Sequence, residues 1–188
     1  MSNIHTFIVL LRGVMPMGKN RTPMAELRKV LAQDGFANVR TYIASGNALV
    51  DSDLTPVEVE QRVHDLIKEH IGPDLAVIAR TGIQLQKVLN ENPFKDGYDI
   101  SRVFFTFFQA PPPEARIAEL LSHNYLPEEL AFTRDSAYLF IPGSAARSQL
   151  SNVWLEKQLG VAMTTRNFNT VSKLIEMANQ KHLANKNL

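Results

Sequence analysis

The order of strand-like and helix-like segments repeats along the chain, and this repeat constrains the fold more than any other feature of the sequence. Short β-prone runs and amphipathic helical stretches follow one another as strand, helix, strand, strand, helix, strand. In the first half, the predicted strands are residues 7–11, 39–43, 48–50 and 75–79. In the second half, they are residues 103–108, 130–133, 137–141 and 161–164. The pattern predicts two similar units that combine strands and helices.

The order βαββαβ is that of the ferredoxin-like arrangement, in which helices cover one face of an antiparallel sheet. We therefore predict an α+β fold with two tandem ferredoxin-like halves, a linking helix and a C-terminal helix. Residues 1–80 are predicted as the N-terminal half, residues 81–100 as the linking helix and linker, and residues 101–188 as the C-terminal half with the final helix.

Several helix ends are marked in the sequence. Thr22-Pro23 predicts an N-cap followed by proline at the first helical position, and Gly35 is placed to end that helix. Thr55 and Thr81 each open a segment with capping-box spacing, which predicts two more helix starts.

The composition excludes several kinds of chemistry. The chain of 188 residues has no cysteine, which excludes disulfides, thiolate nucleophiles and cysteine-ligated zinc. Its five histidines show no metal-ligand spacing, so we expect neither a metal nor another cofactor. The start of the sequence lacks a signal-peptide pattern, and the apolar run at residues 103–108 is too short to span a bilayer. These features predict a cytoplasmic protein without membrane contact.

Charge is distributed unevenly along a chain whose net charge is only +1. From Arg12 to Arg40, six basic residues stand against two acidic ones, a net charge of +4. From Asp51 to Asp74, seven acids stand against two bases, a net charge of −5. Such runs are usually solvated faces that pair with one another, although the basic run is also compatible with nucleic-acid binding.

The first candidate site is the loop after the first strand, where Gly13, Gly18 and Lys19 have nearly the spacing of a phosphate-binding P-loop. Asn20 stands where that loop needs Ser or Thr to bind Mg²⁺. A looser anion cradle, formed by loop amides with Arg12 and Lys19, fits better. The alternative is a glycine-rich turn with a solvated lysine.

The second candidate precedes the final helix, where Thr165, Arg166 and Asn167 would suit a phosphate or carboxylate next to free helix N–H groups. The alternative is that Asn167 or Asn169 caps the helix and Arg166 forms an internal ion pair. Lys173 fits either interpretation.

The third candidate is the segment from Thr41 to Asn47. Ser45 and Asn47 are of the residue types that shape tight turns, which is the simpler interpretation. They would otherwise offer neutral hydrogen bonds to a ligand held by Arg12 and Arg166.

Together these segments predict binding of a small anionic ligand that bears a phosphate or carboxylate group. A nucleic-acid-binding module and a protein-interaction module without ligand are the alternatives. The sequence indicates neither a reaction nor an oligomeric state. The predicted ligand-binding residues are Arg12, Lys19, Asn20, Thr41, Ser45, Asn47, Thr165, Arg166, Asn167 and Lys173.

Four segments resemble one known family. They are LRGVMPMGKNRTPMAELRKVL at 11–31, GFANVRTYIASGNALV at 35–50, NPF at 92–94 and TTRNFNTVSKL at 164–174. In this combination and order they resemble the uncharacterised bacterial family known as domain of unknown function 1697. The resemblance implies a cytoplasmic α+β protein and carries no activity with it.

Overall fold

The computed structural model describes residues 4–184, and the side chains of residues 4–180. The described residues divide into two compact units. One contains the residues up to Leu85 together with those from Lys173 onward, and the other runs from Gln86 to Ser172.

The first unit is built on a four-stranded antiparallel sheet with the strand order β2-β3-β1-β4. Its elements are β1 (His5–Leu11), α1 (Met24–Gln33), β2 (Ala37–Thr41), β3 (Asn47–Ser52), α2 (Pro56–His70), β4 (Val77–Thr81) and the start of α3 (Gly82–Asn90).

The second unit repeats this topology, with the strand order β6-β7-β5-β8. Its elements are β5 (Val103–Phe108), α4 (Glu114–Leu121), β6 (Glu129–Phe132), β7 (Ser136–Phe140), α5 (Asn152–Leu159) and β8 (Met163–Asn167), with short 3₁₀ turns at Ile100–Arg102 and Ala145–Arg147. The last helix, α6 (Phe168–Ala184), contributes residues to both units. The predicted α+β fold with two ferredoxin-like halves is confirmed.

Helices cover one face of each sheet. Successive side chains of a strand point to opposite faces, so every second residue packs against the helices. In the first unit, Phe7, Val9 and Leu11 of β1 pack in one cluster with residues such as Leu27 of α1 and Val63 of α2. In the second unit, the corresponding cluster combines strand and helix residues including Phe108, Leu139, Leu120 and Leu155. Burial of these apolar side chains is the main term that stabilises each unit.

Three local predictions were wrong. Thr22 does not cap α1, because Pro23 occupies the N-cap position without a side-chain hydrogen bond and Thr22 is buried. The strand predicted to reach Ile43 ends at Thr41, since Ile43 has a φ of +49° and cannot continue it. The strand predicted at 161–164 extends through Asn167, because β5 pairs with it as far as that residue.

Candidate functional site

The loop between β1 and α1 folds back on itself. Gly13 and Gly18 adopt left-handed φ angles of 67° and 82°. The backbone N–H of Met15 donates to the carbonyl of Asn20 at 3.1 Å, and Asn20 Nδ2 donates to the carbonyl of Gly13 at 3.2 Å. Asn20 therefore braces the loop that carries Lys19.

Lys19 and Arg12 are cations of this loop with different surroundings. The side chain of Lys19 is exposed and makes no hydrogen bond or ion pair with any residue in the described range. Arg12 is half-buried, and its backbone N–H continues the β1–β4 ladder by donating to the carbonyl of Ala76 at 3.0 Å. Because α1 begins only at Met24, the amides next to Lys19 do not run into a helix as they do in a P-loop.

The turn between β2 and β3 packs against this loop at a glycine. Gly46 has a φ of +84°, and a Cβ atom there would lie 2.6 Å from Val14 Cγ2 and 2.9 Å from Leu11 Cβ. Such distances are too short for any side chain, so the close approach requires glycine. The structure thereby places Ser45 and Asn47 beside the β1–α1 loop.

The turn itself is held by a buried amide. Asn47 is fully buried, and its Nδ2 donates to the carbonyl of Tyr42 and to Ser45 Oγ, both at 3.1 Å. At the end of β2, Thr41 Oγ1 accepts a hydrogen bond from Arg28 Nη1 at 2.8 Å. These contacts give Ser45, Asn47 and Thr41 definite structural roles at this end of the first unit.

The same two segments expose apolar side chains. Met15, Met17 and Ile43 are 54 %, 79 % and 50 % exposed. Ile43 also has a left-handed φ of +49°, a conformation that costs a β-branched residue about 1–3 kcal/mol. Exposed apolar residues next to Lys19 make this end of the unit a surface suited to contact with another molecule.

In the second unit, Thr165 and Asn167 lie at the end of β8. The hydroxyl of Thr165 donates to Asn152 Oδ1 at 3.0 Å and lies 2.8 Å from Thr106 Oγ1. Asn167 Oδ1 accepts the backbone N–H of Thr170 at 2.9 Å and so caps α6.

Arg166, between these two residues, has a desolvated guanidinium. Its Nη1 donates to Thr164 Oγ1 at 2.6 Å and to the carbonyl of Thr165 at 3.0 Å. Burial lowers the pKa of Arg166 to about 10, because the charged form loses hydration. Arg166 remains protonated at neutral pH and is a positive charge in a poorly hydrated place.

Lys173 is engaged on α6. Its Nζ lies 2.9 Å from both carboxylate oxygens of Glu176, three residues along the helix. The predicted site residues thus fall into three groups, with Lys173 in its own ion pair. Those of the first unit (Arg12, Lys19, Asn20, Thr41, Ser45, Asn47) belong to two adjacent segments, and those of the second unit (Thr165, Arg166, Asn167) are consecutive on β8.

An internal correspondence between the units was missed in the sequence. The N–H of Arg12 donates to Ala76 and that of Gln109 donates to Ala162, so the fourth strands align with Ala76 matching Ala162. In this alignment Arg80 of the first unit is equivalent to Arg166 of the second unit, each four residues after the matched alanine. In the sequence, this equivalence is visible only as a weak similarity between ARTGIQ at 79–84 and TRNFNT at 165–170.

Arg80 also donates to the carbonyl of the residue before it, Ala79, at 2.7 Å. Arg80 lies 3.2 Å from a carboxylate oxygen of Glu60 on α2. That oxygen accepts the N–H of Ala79 at 2.8 Å. Burial is the main influence on Glu60 and raises the pKa of its carboxyl. This buried pair covers the outer edge of β4, which is a strand at the edge of the sheet.

Among the described side chains of residues 4–180, no three His, Asp or Glu are grouped so that they could bind a metal ion. None of the described helices is long and apolar enough to cross a bilayer.

The fold and these sites define an α+β protein with two ferredoxin-like units and a polar loop surface. The chain belongs to the family described as "Protein of unknown function (DUF1697)", whose sequence model matches residues 4–138. No curated protein matches the chain. Among solved structures, it is similar to a conserved bacterial protein from Streptococcus pneumoniae, with 22 % identity and a TM-score of 0.74 over 94 % of this chain and 99 % of that one. This likeness supports the fold.

Proposed function

We propose that this protein binds a small phosphate- or carboxylate-bearing anion in the cytoplasm, on the surface formed by the β1–α1 loop and the β2–β3 turn. The observation that carries the proposal is Lys19, an exposed cation without an internal partner among the described residues. Cationic side chains on loops with available backbone amides bind oxyanions through charge-assisted hydrogen bonds.

The loop also supplies backbone donors. The N–H groups of Gly18, Lys19 and Asn20 donate no hydrogen bond to any residue of the described chain. Asn20 holds the loop closed through Gly13, so these donors are presented by a braced segment. Ser45 on the adjacent turn would add a neutral hydrogen bond, and Arg12 would add charge.

Arg166 is the candidate contact of the second unit, with Thr165 and Asn167 beside it on β8. Its desolvated charge would attract an anion more strongly than an exposed arginine. We treat it as a separate contact to be tested on its own.

A thermal-shift screen of the full chain tests the proposal with inorganic phosphate, nucleotides, sugar phosphates and small carboxylates. A ligand at about 100 times its dissociation constant adds roughly 2.7 kcal/mol of stability, which is easily detected. Lys19→Ala should abolish the shift, whereas Lys29→Ala, an exposed lysine on α1, should retain it. A shift of equal size in Lys19→Ala would place the ligand elsewhere, and Arg166→Ala would then test the second unit.

Nucleic acid is the second candidate for the same surface, favoured by the net charge of +4 between Arg12 and Arg40. Binding of short RNA or DNA should then weaken steeply as salt is raised, because phosphate contacts release counterions. If neither small anions nor oligonucleotides shift the melting temperature, both candidates fail. The exposed Met17 and Ile43 would then direct attention to a protein partner.

A further inference from the structure

A cavity of about 450 Å³ lies in the first unit beside the edge strand β2. It is lined by Asn38, Val39 and Arg40 of this strand and by Gln180 of α6. The pairing register of β2 shifts between Ala37 and Arg40, and Asn38 has a φ of +49°. An irregularity of this kind re-aims side chains at a sheet edge, often next to a binding site.

The guanidinium of Arg40 is anchored on one side only. Its Nη1 donates to the carbonyl of Met177 at 2.6 Å. Its Nε and Nη2 are buried and have no hydrogen-bond partner among the residues that the structure describes. These two nitrogens form one edge of the planar group, and their N–H bonds run parallel. This edge is the one that binds two oxygens of a carboxylate or phosphate together.

The polar neighbours of the cavity are engaged elsewhere. The amide of Gln180 donates to Glu176 Oε1 at 3.0 Å, and that of Asn38 donates to Asp51 Oδ2 at 2.6 Å. Neither side chain satisfies Arg40. Because buried donors are almost always paired in native proteins, the two free N–H groups call for an acceptor from outside the chain.

We propose that Arg40 binds an oxyanion that presents two oxygens side by side, a carboxylate or a phosphate group, at this cavity. The site is distinct from the Lys19 surface and does not depend on it. Anchoring through Met177 fixes the plane of the guanidinium in advance, so that little side-chain freedom is lost on binding. Because these two nitrogens are buried, we expect the exposed side chain of Gln180 to move aside to admit a ligand oxygen.

NMR of the arginine Nε–H groups in the full chain tests this site. The protein is titrated with sodium acetate and with sodium phosphate, and in parallel with sodium chloride at equal ionic strength. We expect the Arg40 Nε–H signal to move and saturate with acetate or phosphate and to stay in place with chloride. Arg62 is the internal control, because its Nε already donates to Asp34 Oδ2 at 2.6 Å.

The Arg40→Lys variant identifies the Arg40 signal, which it removes. It also tests whether the parallel Nε–H and Nη2–H groups are needed for binding. It keeps the positive charge and loses the paired N–H groups, so the stabilisation of thermal unfolding by the same anion should require at least about tenfold more of it. Lys19→Ala should leave the Arg40 response intact, which separates this site from the proposed loop surface. An Arg40 signal that ignores both oxyanions, or follows chloride equally, overturns the proposal and assigns the two donors to water. If Arg40→Lys does not fold, triple-resonance assignment of the wild type identifies the Arg40 signal, and its titration decides.

Discussion

The two units share a strand order and an arginine at the same position of the fourth strand, but a glutamate from the second helix of each unit meets that strand at a different backbone position. In the first unit, Glu60 reaches across the edge of β4 and lies 3.2 Å from Arg80. In the second unit, the corresponding helix α5 directs Glu156 to the backbone N–H of Met163 at 3.0 Å, three residues before Arg166. Both carboxylates cover an edge strand, Glu60 at the residue just before the arginine and Glu156 three residues before it.

The comparison shows that one backbone scaffold can cover equivalent edge strands at different positions. Arg80 is part of a buried ion pair, which fixes it in a structural role. Arg166 donates to a hydroxyl and a carbonyl oxygen, and its pKa of about 10 reflects the loss of hydration.

The largest effect should come from breaking the ion pair of the first unit. Glu60→Ala leaves Arg80 and the N–H of Ala79 without their carboxylate, and we expect a loss of about 3 kcal/mol in the free energy of unfolding. Urea denaturation measures this loss. Glu69→Ala, at an exposed position of the same helix, should change the free energy by less than about 0.5 kcal/mol. Equal losses in the two variants would contradict a structural role for the pair.

The next effect concerns the contact between the β1–α1 loop and the β2–β3 turn at Gly46. In the second unit the corresponding residue is Asp135, since Ser136 pairs with β5 as Asn47 pairs with β1. Gly46→Ala combines a left-handed φ with a clash against Val14, and we expect a loss of about 2–3 kcal/mol. Gly18 has a similar φ of +82° but open space around it. Gly18→Ala should therefore lower the free energy of unfolding by only about 1 kcal/mol. Thermal or urea unfolding gives both values. If the two losses are the same, the turn does not pack against the loop.

Helix capping should be nearly equal in the two units. Thr81 Oγ1 accepts the N–H of Gln84 at 3.3 Å, and Asn167 Oδ1 accepts that of Thr170 at 2.9 Å. We expect Thr81→Ala and Asn167→Ala each to lower the free energy of unfolding by about 1 kcal/mol. A much larger loss for Asn167→Ala in the absence of ligand would mean that its side chain does more than cap α6.

The smallest effect is a pH dependence confined to the first unit. Hydrogen bonds that the His64 ring donates, first to Asp74 and then to Asp65, raise its pKa above the ordinary value of 6.5. A raised pKa means that the folded state holds the proton more tightly. The resulting stability is present below about pH 6.5 and is lost as the pH rises through the folded pKa. The difference in melting temperature between the wild type and His64→Gln should shrink across that range, and a constant difference would contradict the assignment.

Acid should also weaken the ion pairs that Asp74 forms with His64 and Lys68. Hydrogen bonds from Lys68 and His64 lower the pKa of Asp74 to about 2. The stability that Asp74 contributes is therefore present above its ordinary pKa of about 4 and is lost as the pH falls toward 2. Asp74→Asn should be less sensitive than the wild type over this acid range, measured by melting temperature. An unchanged acid profile would rule out this contribution.

Local features of the structure were predictable because they depend on neighbours in sequence. The continuous apolar run of β1 and the capping-box spacing at Thr55 and Thr81 are visible in the sequence, and the structure has a buried strand and two caps there. Thr22 shows the limit of such patterns. Its spacing suits a cap, but it is buried and the helix begins after Pro23 instead.

The sequence could indicate which residues are candidates for a site, but not which partners they have or how deeply they are buried. Lys19, Arg166 and Asn167 are notable in the sequence because cations and amides recur at the ends of elements. Arg40 was passed over because nothing local distinguishes it from a solvated arginine, and its burial depends on Met177, far along the chain. Glu60 was assigned to a solvated face for the same reason.

The sequence by itself determined the family, the order of strands and helices and the repeat of that order, since periodicity and turn residues act over a few positions. Only the tertiary structure decided which polar residues are paired, buried or presented to a ligand. Strand pairing brings together residues that are distant in the chain, such as Phe105 and Arg166, and burial then sets the cost of leaving their polar groups unpaired.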